Sequence, residues 1–131
     1  MSEGEGVRGI VVAHGSMAKG LVDAAGKISG VEDGVLIPLS NEGKSPQSLQ
    51  DELDHILQEG AAIVFTDLPS GSCAFAARIC CRAHPSQALV TGVNLPILLD
   101  FVFNRHLPMN ELVPRLVSKG IGSVKSAPEY S

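Results

Sequence analysis

The chain has 131 residues, a formal net charge of −4 and 10 Lys plus Arg set against 14 Asp plus Glu. That length fits a single domain spanning 1–131 that buries about two-thirds of its unfolded surface, and the acidic balance with scattered cations argues against nucleic acid as a partner. No apolar run approaches the roughly 18 residues of a membrane span, the start over 1–6 is acidic rather than basic, and three cysteines, Cys80 and Cys81 adjacent, form neither a disulfide framework nor a CxxC metal site, so a cytoplasmic protein without metal or cofactor is expected.

Ile10-Val11-Val12-Ala13 is a short β-branched run that stops at His14-Gly15-Ser16, the pattern of a buried parallel strand. Ala18, Leu21, Val22, Ala25 and Ile28 then form the stripe of an amphipathic helix ended by Gly30. Residues 35–39 read as a second strand whose Pro38 suits a sheet edge. Ser45-Pro46 supplies an N-cap and a first-turn proline for a second helix, with Leu49, Leu53, Ile56 and Leu57 on one face.

Residues 61–66 form a third apolar run, closed by Asp67-Leu68-Pro69-Ser70-Gly71-Ser72. A third helix is expected from Ser72 to His84, where Pro85 stops it, and a fourth strand over 88–93. Asn94 can cap a fourth helix over 95–105 that is apolar nearly all round, which predicts deep burial or cover by a partner subunit. A fifth helix over 110–119 is followed by an expected short strand over 121–125 and a loose tail over 126–131.

This alternation predicts an α/β fold, a doubly wound and mostly parallel sheet in the order 2-1-3-4 with helices on both faces. Ligands of such sheets sit beyond the carboxyl ends of the strands where the order reverses. Adjacent first and third strands bring His14 and Asp67 to one crevice. An aspartate on one imidazole nitrogen fixes the tautomer and leaves the other nitrogen free as base, ligand or nucleophile. Gly15, Ser70, Gly71 and Ser72 open two helices at the same place, and helix N-termini with a close backbone suit a phosphoryl anion. The plain alternative is that His14 and Asp67 merely cap their helices.

The remaining candidates have simpler readings. His55 lies among acidic neighbours and is expected to be solvated, while His84 and His106 sit at helix ends, where a cation complements the dipole. The cysteines are expected as core or near-core residues of the third helix. Arg78 and Arg82, one turn apart, suit either a docking patch for an acidic partner or a solvated face.

The runs Ile10-Val11-Val12-Ala13-His14-Gly15, Val64-Phe65-Thr66-Asp67 with Gly71-Ser72, Ala76-Ala77, and Val90-Thr91-Gly92-Val93-Asn94-Leu95-Pro96 resemble, in order and spacing, the mannose-family enzyme IIA of the bacterial phosphoenolpyruvate-dependent sugar phosphotransferase system. The resemblance covers about residues 7–125. It implies that His14 is a nucleophile that accepts a phosphoryl group from the histidine phosphocarrier protein and passes it to a separate IIB component for sugar uptake. It further implies that Asp67 orients the ring through Nδ1, that Ser72 and nearby amides hold the phosphoryl oxygens, and that two chains form a homodimer by exchanging the last strand. Contact with a membrane would be indirect, through a permease complex. The chain departs from the family at Leu68-Pro69-Ser70 and at Cys73, which stands where a proline is common. Alternatives are a regulatory phosphocarrier without a permease and the phosphoryl-donor subunit of dihydroxyacetone kinase. Ala13-His14-Gly15-Ser16 also resembles small tetrapyrrole chelatases, which need a second metal-binding His or Glu where this chain has Gly92-Val93-Asn94.

Overall fold

The computed structural model describes residues 6–130, so most of the acidic start and the last residue of the tail lie outside the described part. Four strands, β1 (Arg8–Ala13), β2 (Leu36–Ser40), β3 (Ala62–Thr66) and β4 (Ala88–Thr91), alternate with α1 (Met17–Ser29), α2 (Pro46–Leu57), α3 (Ser72–Ala83) and α4 (Leu95–Asn104), and α5 (Met109–Gly122) completes the order. The sheet is wholly parallel in the order β2-β1-β3-β4.

Both central strands are buried along nearly their whole length, which is why they read as continuous apolar runs rather than alternating ones. Pro38 sits on the edge strand β2, opposite Val11, where a missing N–H breaks no second ladder. Side chains of β1 and β3 alternate between two core layers. Val11, Ile63 and Phe65 pack with α1, α4 and α5, and Phe65 meets Phe101 edge-on at 5.4 Å. Ile10, Val12 and Val64 pack with Leu49, Leu53 and Leu57 of α2 and with Cys73, Ala76, Ala77 and Cys80 of α3.

The expected caps form. The Ser45 side chain accepts from the Ser48 N–H at the start of α2, Asn94 accepts from the Ile97 N–H at the start of α4, and Gly30 ends α1 in the left-handed conformation at φ 71°. The strand expected over 121–125 does not form. Residues 121 and 122 extend α5, and Ser123 and Val124 close it with N–H bonds to Gly120 O and Ile121 O. Within α5, a Cβ at Gly120 would lie 2.5 Å from Ile97 Cδ1, so a residue that reads as a helix breaker is the one that lets α5 lie close against α4. Asn94 Nδ2 donates to the Gly120 carbonyl at 3.3 Å and fixes the same crossing.

Candidate functional site

His14 follows β1 and Asp67 follows β3, and the parallel pairing of these strands runs up to Val12 opposite Thr66. The two polar residues therefore emerge side by side at the carboxyl edge. Asp67 Oδ2 accepts from His14 Nδ1 at 2.7 Å and from the His14 backbone N–H at 3.0 Å, while Oδ1 accepts from the Leu68 N–H at 3.0 Å. Burial works against the charged carboxylate, but the donors from His14 and Leu68 outweigh it, and the Asp67 carboxyl is held below its ordinary value. With an ionised partner on Nδ1, the neutral ring carries its proton there and presents the Nε2 lone pair. Among the described residues nothing hydrogen-bonds to Nε2, and 42% of the His14 side chain is exposed.

The turn after His14 is held by β2. Gly15 takes φ 59°, a left-handed value suited to glycine; its N–H donates to Asn41 Oδ1 at 3.2 Å and its carbonyl accepts from Ser40 Oγ at 2.7 Å. The Gly15 amide is thus engaged within the protein. Ser40 and Asn41 go beyond the residues expected from the sequence, although they are the polar residues that end the strand beside β1, the same signal that singles out His14 and Asp67.

Gly71, at φ 97°, is the N-cap of α3, and a Cβ on it would lie 3.9 Å from His14 Cε1, so this glycine borders the imidazole. No side chain caps α3, which leaves its first N–H groups available beside the ring. Ser70 and Ser72 flank Gly71 on the exposed rim and make no hydrogen bond to His14. The loop between them and Asp67 is tied down at two points: Thr66 Oγ1 donates to Leu68 O at 2.8 Å, and Arg78 Nη2 donates to Pro69 O at 2.6 Å. Arg78 thus lies on the exposed face of α3 and braces the loop at the same time.

Cys73 is buried as expected of a core residue, yet its Sγ lies 3.8 Å from His14 Nδ1. Burial first, and the Asp67 charge second, push its thiol up to about 11. His84 does not simply face the dipole of α3, since its Nε2 pairs with Asp54 Oδ1 of α2 at 2.6 Å. His55 and His106 are exposed.

Known proteins resemble this chain in sequence and in fold. A protein-family model described as the PTS system fructose IIA component, EIIA-man, matches residues 9–116. The PTS system fructose-specific EIIA component of Bacillus subtilis (strain 168) is 27% identical over 126 residues, covering 92% of this chain and 86% of that protein. Among solved structures, the phosphotransferase system component EIIA from Streptococcus agalactiae shares the fold at a TM-score of 0.86 and 19% identity, covering 92% of this chain and 97% of its own. The mannose/sorbose specific IIA subunit from Enterococcus faecalis does so at a TM-score of 0.82 and 23% identity, covering 96% of this chain and 99% of its own. The chain belongs to the EIIA-man family, the IIA components of the mannose and fructose type of phosphotransferase system.

Proposed function

We propose that this IIA component is a cytoplasmic phosphocarrier in which His14 Nε2 takes a phosphoryl group from the histidine phosphocarrier protein and hands it to a separate IIB component. The observation that carries the reading is the 2.7 Å contact between Asp67 Oδ2 and His14 Nδ1, opposite a ring nitrogen without a partner among the described residues.

In the uptake step the Nε2 lone pair attacks phosphorus in line with the donor's P–N bond. That bond breaks as the new one forms, and the electron pair leaves with the donor ring. The His14 ring gains positive charge, which the Asp67 carboxylate stabilises, and Nδ1 keeps its proton throughout. The three phosphoryl oxygens would meet the open N–H groups at the start of α3 and the hydroxyls of Ser70 and Ser72, while Gly71 gives them room beside the ring. Gly15 serves by shaping the turn after His14, because its own N–H is held by Asn41.

A homodimer belongs to the same reading. Phe103, Ile121 and Val124 are 69%, 72% and 79% exposed around α4 and the end of α5, an apolar surface that a second copy would cover. The test is intact mass after incubation with phosphoenolpyruvate, enzyme I and the histidine phosphocarrier protein. Wild type is expected to gain one acid-labile phosphoryl group and His14→Ala none. Adding a IIB component and, in parallel, a dihydroxyacetone kinase then identifies the acceptor by which of them discharges the carrier. Phosphate retained by His14→Ala contradicts the assignment.

A further inference from the structure

We propose that His14, Asp67 and Cys73 form a binding site for a thiophilic divalent cation of the zinc type, and that this cation and the phosphoryl group exclude one another on His14. The exclusion, though not the cation site, rests on the phosphocarrier reading above.

One donor atom from each of His14, Asp67 and Cys73 lies within 4.8 Å of the other two. The imidazole nitrogen is 2.7 Å from the carboxylate oxygen and 3.8 Å from the sulfur. Neighbouring ligands of a tetrahedral zinc ion are roughly 3.3 to 3.7 Å apart, given bonds of about 2.0 Å to nitrogen and oxygen and about 2.3 Å to sulfur. The set therefore needs only a modest opening of the His14–Asp67 pair and a modest closing on the sulfur. One thiolate, one imidazole and one carboxylate suit zinc, whereas magnesium and calcium ask for oxygen alone. Three protein ligands leave a fourth position to water.

The other two cysteines show what a thiol without such a role looks like. Cys80, two turns further along α3, directs its thiol to the Gln50 carbonyl, and Cys81 directs its own to the Ala88 carbonyl. Only Cys73 among the three meets an imidazole. It is also one of the positions, with Leu68-Pro69-Ser70, at which the chain departs from the family resemblance.

Binding needs no oxidant or reductant. The thiol proton leaves to water as the S–metal bond forms. The imidazole proton leaves Nδ1, whose lone pair goes to the cation, and is replaced by a proton taken up from water on Nε2. Two anionic ligands and one neutral ring then neutralise a divalent ion. The protonated Nε2 has no lone pair for phosphorus, so a loaded site cannot be phosphorylated.

The experiment compares wild type with Cys73→Ser and Cys73→Ala, each first confirmed as folded by its thermal melt. Cobalt chloride titrated into wild type is expected to give a thiolate-to-cobalt absorption band in the near ultraviolet that saturates at one ion per chain. Both variants are expected to lack the band and to bind zinc chloride at least about tenfold more weakly in competition with a chelating indicator. Purified phosphorylated histidine phosphocarrier protein is then added with and without zinc, and each protein is referred to its own metal-free rate. Zinc is expected to suppress uptake by wild type and to leave the ratio near one in both variants at the same concentration. A wild-type cobalt spectrum without the thiolate band, or zinc inhibition equal in all three proteins, overturns the proposal. No uptake by metal-free wild type would overturn the carrier reading and the exclusion with it, while the cobalt spectrum still decides the cation site on its own.

Discussion

A proton held on His14 Nδ1 sets what Nε2 can do, and three hydrogen bonds to the Asp67 carboxylate, two of them from His14, hold it there. Asparagine at this position keeps one oxygen and replaces the other with an N–H donor that faces existing donors. Asp67→Asn is therefore expected to slow phosphoryl uptake by about 100-fold, because the imidazole loses both its fixed tautomer and the charge that balances it in transfer. The protein should stay folded, losing about 1–3 kcal/mol for the unsatisfied donors, as read from denaturant unfolding. Uptake at the wild-type rate would remove the tautomer argument. The pairing itself was legible in the sequence, since it needed only two strand ends and a sheet order. The brace by Arg78 and the approach of Cys73 to the ring were not, because both depend on where α3 sits over the loop. A cysteine at the second position of an Ala-rich helix carries no sign that its sulfur faces a histidine.

Among the elements, α4 and α5 meet at a joint built from Asn94, Ile97 and Gly120. Asn94 uses its oxygen to cap α4 and its Nδ2 to hold the Gly120 carbonyl. Asn94→Ala removes both bonds and is expected to cost about 1–2 kcal/mol, measured as a lower denaturation midpoint with an unchanged slope. Gly120→Val places a branched side chain where Ile97 already stands, and it is expected to destabilise by about 1–3 kcal/mol through overpacking. A neutral result for Gly120→Val would mean that the helices part at little cost. The cap was legible because Asn before an apolar helical run has a local mechanism. The length of α5 was not, because glycine at 120 and 122 reads as a stop until the neighbouring helix is known to need the space. Once the helix is expected to stop at 119, residues 121–125 read as a short strand.

At the scale of the molecule, a sheet order that reverses between β2 and β3 around β1 puts three strand ends at one crevice, and each contributes polar residues to it. Asp67 and Asp54 both have carboxyls held below the ordinary value of 3.8, Asp54 chiefly by the hydrogen bond from His84. A carboxylate with a depressed folded value adds stability that is complete above its unfolded value and is lost as pH falls through the folded one. Unfolding free energy is thus expected to drop on acidification below about pH 4, and the gap between wild type and Asp67→Asn should narrow over the same range. A gap that stays constant from neutral pH to acid would contradict an ionised Asp67 as the source of that stability. The most direct test of the account is the nitrogen that carries phosphate. Long-range proton–nitrogen correlation spectra of the phosphorylated, nitrogen-15-labelled protein assign it unambiguously. Phosphate on Nε2 of His14, with the proton on Nδ1, is the predicted result; phosphate on Nδ1, or on any other histidine, would contradict it.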